Sequence, residues 1–139
     1  MRIIAIDPGE KRIGIAISDQ TGTIANPLTI LPHTSRNSDA ASITQLAEQY
    51  EAKLIVMGIA LDSENQPTPQ SRRSVRLAAA IRKQSHLPVV FWDESNSSNA
   101  IIDAQIILKT PKGKKRKPID DLAATYILQT YLDTHPQNT

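Results

Sequence analysis

Short apolar runs and alternating isoleucines mark the first third of the chain, which is the pattern of β-strands. Residues 3–6 form an apolar run, and isoleucines at every second position of 13–17 alternate with small residues. The turn-rich loop at 7–11 is too short for the crossover that parallel strands need, so an antiparallel hairpin is predicted. A third strand is predicted at 23–31, where Pro27 indicates an edge strand or a bulge.

From about residue 38 the apolar residues follow helical spacing, interrupted by short apolar runs. Ser38 or Asp39 can cap a helix that extends to about Glu51. The continuous apolar run at 54–57 predicts a strand that is covered on both faces. The remaining predicted elements are a helix at 71–84, a strand at 88–92, a helix at 100–108 and a final helix from Pro118 to about Leu132.

This order of elements predicts an α/β fold. Three antiparallel strands and then two parallel ones are expected in a mixed five-stranded sheet, with helices on both faces. We expect one domain over residues 1–133 and a disordered tail at 134–139. The start of the chain has no apolar stretch of signal-peptide length, and no segment approaches the roughly 18 apolar residues of a membrane span. The protein is therefore expected to be cytoplasmic.

Composition narrows the chemistry that this fold can carry. The chain has 139 residues, of which 40% are hydrophobic and 22% are charged, as is typical of a soluble globular protein. It contains no cysteine, which excludes disulfides, thiolate zinc sites, iron–sulfur clusters and thiol nucleophiles. The three histidines fall in two predicted loops and the tail, so a Ser-His-Asp triad has no support.

Positive charge is concentrated in one segment. Six lysines and arginines lie within residues 109–117, and without them the formal net charge of +2 would be −4. Such a cluster indicates an anionic partner, although a solvated loop explains a charge run about equally well. The candidate nucleic-acid-binding residues are Lys112, Lys114, Lys115, Arg116 and Lys117, with Lys11 and Arg12 of the first hairpin. Arg72, Arg73 and Arg76 could extend this surface, but we favour a plain exposed helix face.

Acidic residues come together at one edge of the predicted sheet. Asp7 ends the first strand, Asp93 and Glu94 end the fifth, and Asp120 begins the final helix. The carboxyl ends of strands in open α/β sheets are the usual place of catalytic sites. Converging carboxylates repel each other unless a cation lies between them, and their oxygens suit Mg²⁺ or Mn²⁺. Two such ions about 3.5–4 Å apart can hold the attacking water and the leaving oxygen of a phosphodiester.

Each acid also has a purely structural explanation. Asp7 before Pro-Gly is good turn chemistry, and Asp93 can cap the helix that follows it. Asp120 is an ordinary helix-start residue near the positive end of the helix macrodipole. The coincidence of all three at one edge is harder to explain by three separate accidents, so a metal site is kept as a hypothesis.

Two segments carry recognisable motifs. Residues 7–16 read DPGEKRIGIA, and residues 119–132 read IDDLAATYILQTYL. They resemble the opening motif and the terminal helix of the YqgF (RuvX) family, Holliday junction resolvase-like proteins that are assigned as pre-16S rRNA nucleases. The resemblance covers about residues 1–133. It implies an RNase H-like fold, divalent-metal nuclease chemistry and a role in ribosomal RNA maturation, with Asp7 and Asp120 as motif acids and Asp93-Glu94 supplying the middle acid.

Two other segments depart from the family pattern. Residues 58–60 read GIA where the family usually has Gly-Leu-Pro, and residues 95–98 read SNSS in place of Arg-Leu-Thr-Thr. The missing arginine removes a fixed cation that could have contacted a phosphate. The three acids are retained, so this departure bears on turnover and not on metal binding.

The leading hypothesis is a divalent-metal-dependent endonuclease that hydrolyses phosphodiesters of structured RNA or branched DNA. Its catalytic residues would be Asp7, Glu94 and Asp120, and its metal ligands Asp7, Asp93, Glu94 and Asp120. The altered middle motif motivates an alternative, a nucleic-acid-binding ribosome assembly factor with weak or no catalysis. An actin-like or sugar-kinase-like ATP-binding module is disfavoured, since it normally needs a second similar domain and a glycine-rich phosphate loop. The expected partner is precursor rRNA or branched DNA, with no membrane, and the chain is expected to be a monomer or weak homodimer.

Overall fold

The computed structural model describes residues 1–93 and 120–136, with the side chains of the last helix described from Leu122 onward. The predicted helix at 100–108, Glu94 and the basic segment at 112–117 lie outside these residues. The described elements are β1 (Arg2–Pro8), β2 (Arg12–Ser18), β3 (Ala25–Pro32), α1 (Arg36–Gln49), β4 (Ala52–Ile59), α2 (Pro69–Gln84), β5 (Val89–Asp93) and α3 (Asp120–Thr134).

The five strands form one sheet in the order β3-β2-β1-β4-β5. The pairs β1–β2 and β2–β3 are antiparallel, whereas β1–β4 and β4–β5 are parallel. The predicted mixed sheet is therefore confirmed. Its third strand lies at the edge, and the register between β2 and β3 shifts between Ile15 and Ala16, the residue that pairs with Pro27. Both the edge position and the irregularity that Pro27 indicated are present.

One face of the sheet is covered by α1 and α2. Alternate residues of β1, Ile4 and Ile6, pack here against Ile43 of α1 and against Leu77 and Ile81 of α2. None of these side chains is more than 5% exposed. Burying an aliphatic side chain of this size contributes about 1.5–3 kcal/mol relative to leaving it in water, so this face fixes the orientation of β1.

The opposite face of the sheet is covered by α3. Ile3 and Ala5 of β1 and Val56 of β4 pack there against Ile127 and Leu128, and all five are buried. Helices thus lie on both faces, as predicted. Because side chains alternate along a strand, every residue of β1 is assigned to one of the two helical layers.

Gly58 allows α3 to approach β4 closely. A Cβ at this position would lie 2.5 Å from Ile127 Cδ1 and 3.4 Å from the carbonyl oxygen of Ile6. Gly58→Ala is expected to lower the free energy of unfolding by about 1–3 kcal/mol, because overpacking forces its neighbours to shift. Ile127→Val removes the contacting methyl group and alone should cost about 0.5–1.5 kcal/mol. In urea unfolding, the double variant should lose less free energy of unfolding than the two single variants lose together. Additive losses of this free energy would contradict the contact between residues 58 and 127.

Helix α1 begins three or four residues earlier than the sequence pattern indicated. Ser35, and not Ser38 or Asp39, is the N-cap, and its hydroxyl oxygen accepts a hydrogen bond from the Ser38 backbone N–H at 3.2 Å. Asp39 turns back to the preceding loop, where it accepts from the Thr34 backbone N–H at 3.1 Å and contacts His33 Nδ1. All three candidates are good capping residues, so the pattern alone could not separate them.

The last helix ends at Thr134, one residue after the predicted end of the domain. The ring of His135 stacks on Tyr131 with centroids 4.1 Å apart, and Trp92 of β5 meets both rings edge-on. Trp92 also donates its indole N–H to the Thr130 hydroxyl at 2.9 Å. These contacts tie the end of β5 to α3. Within the described part of the chain, no helix is long and apolar enough to span a membrane.

The turn after β2 is held by Asp19, at the end of the sheet opposite to Asp7. Its carboxylate accepts hydrogen bonds from the Thr21 hydroxyl and from the backbone N–H groups of Thr23 and Ile24. These bonds, the Thr21 hydroxyl first, lower the pKa of Asp19 to about 2. A lowered pKa in the folded state stabilises the fold above the ordinary value of 3.8, and this contribution is lost as the pH falls through about 2. The role of Asp19 is thus to hold its own turn through these hydrogen bonds.

Candidate active site

The carboxyl ends of β1, β4 and β5 lie side by side at one edge of the sheet. Ile6 of β1 pairs with Met57 of β4, and Ile59 of β4 pairs with Asp93 of β5. Asp7 follows Ile6 and is half-buried at the same edge. Ligands in open α/β sheets bind outside the carboxyl ends of strands, so Asp7 and Asp93 both lie where a site is expected.

Asp7 and Asp93 nevertheless belong to opposite faces of the sheet. Ala5 packs in the layer under α3, and strand alternation gives Asp7 the same side. Phe91 packs against the layer under α1 and α2, and alternation gives Asp93 that side. Two strand spacings, about 10 Å, also separate β1 from β5. The structure therefore brings these two acids to one edge of the sheet, with opposite strand parity.

Helix α3 begins at this same edge. Ile127 lies against Gly58 near the end of β4, whereas Gln129 accepts a hydrogen bond from the Ala25 backbone N–H, at the far end of the sheet. The helix therefore runs from the carboxyl edge of β4 toward the opposite edge. Asp120 precedes Ile127 by seven residues, about 10 Å of helix, so the helix begins on the carboxyl side of β4, on the face that α3 covers. The side chain of Asp120 is outside the described part.

A metal site is not complete within the described residues. Among the side chains of residues 1–93 and 122–136, no three carboxylates or imidazoles are close enough to hold a metal ion. Two of the four predicted ligands, Glu94 and Asp120, have no described side chain. The four-acid site thus stays a prediction, with Asp7 as its described anchor.

Gln70 is the polar neighbour of Asp7 that the sequence pattern did not single out. Its side-chain N–H group lies 3.5 Å from Asp7 Oδ1 and 3.4 Å from the Gly58 carbonyl oxygen, and its own carbonyl oxygen accepts from the Ala60 backbone N–H at 2.8 Å. The side-chain amide of Gln70 therefore contacts the carboxylate of Asp7, the carbonyl group of Gly58 and the N–H group of Ala60. The available signal was Thr68-Pro69, an N-cap and a proline at the first helical position, which places residue 70 in the first turn of α2.

The carbonyl group of Gly58 is fixed from a second direction. Ser74 is fully buried and donates its hydroxyl to the Gly58 carbonyl oxygen at 2.7 Å. One turn earlier on α2, Gln70 reaches the same oxygen. Two side chains of α2 thus hold the end of β4 beside Asp7.

Lys11 and Arg12 lie exposed in the hairpin that follows Asp7. The hairpin is braced by the Gly9 N–H, which donates to the Arg12 carbonyl oxygen at 2.8 Å, and by the His33 N–H, which donates to the Lys11 carbonyl oxygen at 2.9 Å. A Cβ on Gly9 would lie 2.6 Å from that Arg12 oxygen, so only glycine fits this turn. Two cations are thereby held next to the candidate edge.

The arginines of α2 are not uniformly exposed. Arg72 and Arg76 are exposed, but Arg73 is half-buried and its Nε atom is fully covered. The plain exposed-face interpretation is therefore wrong for Arg73. A long apolar stem can cover neighbouring apolar surface while its charged end remains accessible, which a helical pattern does not reveal.

Comparison with known proteins gives a consistent set of relatives. The family described as "RuvX: Holliday junction resolvase" matches residues 1–134. A protein of Thermoanaerobacter pseudethanolicus that is named as a pre-16S rRNA nuclease is 35% identical over 138 residues, which covers 96% of this chain and 97% of the relative. A protein of Clostridium beijerinckii with the same name is 35% identical and covers 96% of each chain.

The fold has a counterpart among solved structures. RuvC of Thermus thermophilus, solved in complex with a Holliday junction substrate, superposes with a TM-score of 0.67. The match covers 99% of this chain and 98% of RuvC at 11% sequence identity. At this identity the likeness establishes the fold, which is that of the RNase H-like resolvases, as the sequence resemblance implied.

Proposed function

The chain belongs to the RuvX family of Holliday junction resolvases, and we propose that it is a divalent-metal-dependent endonuclease acting on structured nucleic acid. The observation that carries the proposal is the position of Asp7, half-buried at the carboxyl end of the central strand β1 and on the face that α3 covers. The substrate that we propose is the precursor of 16S rRNA, which the names of both relatives specify.

The proposed ligands suit a hard divalent cation. Asp7, Glu94 and Asp120 would offer only carboxylate oxygens, which suit Mg²⁺ or Mn²⁺ better than softer metals. Gln70 holds its amide against Asp7 from the side of α2 and can orient this carboxylate. Such an ion, when bound, supplies positive charge for the transition state of phosphodiester hydrolysis and makes water more acidic.

Of the two middle acids, we propose Glu94 as the ligand rather than Asp93. The layer under α3 contains Trp92, and Asp93 has the opposite parity. Strand alternation continued by one position would give Glu94 the side of Trp92 and of Asp7. This proposal assigns ligand roles to Asp7, Glu94 and Asp120 and leaves Asp93 outside the metal site.

The basic residues are proposed to bind phosphates. Lys11 and Arg12 are held by the braced hairpin next to Asp7, and the segment Lys112 to Lys117 would add further cations. Contacts to the phosphate backbone position a nucleic acid without reading its sequence. The shape of the substrate would then decide which bond lies at the carboxylates.

Replacing Gln70 by alanine is expected to lower the kcat of cleavage about tenfold and to leave KM within about twofold. Residues that orient a metal-ligating side chain typically contribute 10–100-fold to activity. The matched control is Gln84→Ala at the other end of α2, whose amide donates to the Asn37 carbonyl oxygen at 3.1 Å and is distant from the edge. Equal kcat values for the two variants, at unchanged melting temperature, would remove Gln70 from the site.

The altered segment at 95–98 supports a second candidate, a nucleic-acid-binding assembly factor with little catalysis. One experiment separates the two functions. The purified chain is incubated with precursor 16S rRNA and with a four-way DNA junction, in Mg²⁺, in Mn²⁺ and in EDTA. The nuclease predicts cleavage that EDTA abolishes and added metal restores. Binding without cleavage in either metal would overturn the nuclease and favour the assembly factor.

A further inference from the structure

A cavity of about 200 Å³ lies between α1, α2 and the first hairpin, on the side of the sheet away from α3. Its walls are Pro8 and Gly9 of the hairpin, Arg36 in the first turn of α1, and Arg73 and Arg76, which are one turn apart on α2. Three arginines from two helices therefore line one space. Like charges gathered in this way repel each other unless an anion accompanies them.

No protein group neutralises these arginines in the described part of the chain. None of Arg36, Arg73 and Arg76 forms an ion pair or a side-chain hydrogen bond there. Among the described residues, Asp39 is the one acid on the cavity wall, and its carboxylate is already engaged by His33 Nδ1 and by the backbone and hydroxyl of Thr34. The cavity thus keeps a net positive charge that the described residues do not balance.

Arg73 adds an unfulfilled donor to the cavity wall. Its Nε atom is buried and has no hydrogen-bond partner among the described residues. A buried donor without a partner is destabilising, and guanidinium groups are well shaped to bind phosphate oxygens. An anion that drew the Arg73 side chain toward it would satisfy this donor. The N-terminus of α1, whose cap Ser35 also lines the cavity, adds the positive end of a helix dipole.

The cavity is adjacent to the candidate active site. Pro8 and Gly9 directly follow Asp7, and two residues of strand span about 7 Å. A phosphate in the cavity would therefore lie beside the candidate metal ligand but on the other side of the sheet edge. A nucleic acid strand that crosses this edge would present one phosphate to Asp7 and a neighbouring one to the arginines.

We propose that Arg36, Arg73 and Arg76 form a phosphate-binding site separate from the carboxylates. The site binds a phosphate group, and its source is a backbone phosphate of the substrate strand; this second statement rests on the proposed nuclease function. The arginines hold the strand in register across the edge of the sheet, while the carboxylates act on the bond. Free phosphate is the other source that the same chemistry admits.

The first test measures nucleic acid binding in EDTA, so that it does not depend on metal or cleavage. The variant Arg36→Gln/Arg76→Gln is compared with Arg72→Gln/Lys83→Gln, which removes the same charge from exposed positions of α2 outside the cavity. Fluorescence anisotropy of a labelled four-way DNA junction and of a stem-loop RNA reports Kd over a range of salt. The cavity variant should bind about tenfold more weakly with a salt slope lower by about one to two, and the control should stay within twofold.

The second test identifies the source of the phosphate and needs no substitution to begin. The side-chain Nε–H signal of Arg73 is followed by NMR while inorganic phosphate, or the stem-loop RNA, is added to the native chain. A shift with RNA below millimolar concentration supports a backbone phosphate as the source. A shift with inorganic phosphate but not with RNA, combined with unchanged RNA affinity in the cavity variant, would overturn that source in favour of free phosphate. No shift with either probe, together with equal Kd values for the cavity variant and control, would overturn the site. Weakened binding without any cleavage by the native chain would leave this site standing and remove the nuclease.

Discussion

Replacing Asp7 by asparagine is expected to lower metal-dependent cleavage of precursor 16S rRNA by more than about 100-fold. Asparagine keeps the size of the side chain but loses the charge that would hold a divalent cation. Loss of a residue that merely supports a metal ligand already costs 10–100-fold, so loss of a ligand should cost more. The fold should be unaffected, because Asp7 lies at the end of β1 and outside both core clusters.

The matched control for this change is Asp133→Asn, which removes the same charge from the exposed last turn of α3. Its cleavage rate should remain within about twofold of the native value. RNA affinity in EDTA should be similar for all three proteins, because Asp7 is not proposed to bind phosphate directly. If Asp7→Asn cleaves as fast as Asp133→Asn with Mg²⁺ or Mn²⁺, Asp7 is not catalytic.

Glu94→Gln is expected to reduce cleavage by more than about 100-fold, whereas Asp93→Asn should reduce it by less than about tenfold. The two acids are adjacent in the chain, and strand parity is the argument that separates them. Phe91 and Asp93 share the side of α1 and α2, whereas Asp7 shares the side of α3. Single-turnover rates at saturating metal measure the difference directly, and each variant is the control for the other.

A reversed order of these two variants would contradict the assignment of faces. A large loss in Asp93→Asn with native activity in Glu94→Gln would mean that the site lies on the side of α1 and α2. Equal large losses would mean that both acids bind metal, as the sequence pattern alone allows.

The strands were predictable because their patterns report burial directly. The alternating isoleucines at 13–17 and the continuous run at 54–57 each mark a strand, and Pro27 marks the edge strand. The start of α1 was not predictable, because Ser35, Ser38 and Asp39 are equivalent capping residues until the loop before them is folded.

The candidate site was predictable in outline and not in detail. Asp7 could be placed at the sheet edge from the strand order alone. The choice between Asp93 and Glu94 could not be made, because β5 is apolar on both faces and its sequence shows no alternation. Gln70 and the arginine cavity depend on how α2 lies against β1 and β4, and such tertiary contacts leave no periodic signal.

The central claim is that a divalent cation binds through Asp7 at the carboxyl edge of β1. Paramagnetic broadening by Mn²⁺ tests it most directly, because glycine amides report both ends of the sheet. Gly14 pairs with Asp7, and Gly58 lies next to it on β4, whereas Gly22 lies in the turn at the opposite end. We predict that substoichiometric Mn²⁺ broadens the amide signals of Gly14 and Gly58 in the native chain and leaves that of Gly22 sharp. In Asp7→Asn, the signals of Gly14 and Gly58 should no longer broaden more than that of Gly22. Identical broadening in the native chain and in Asp7→Asn would contradict the claim.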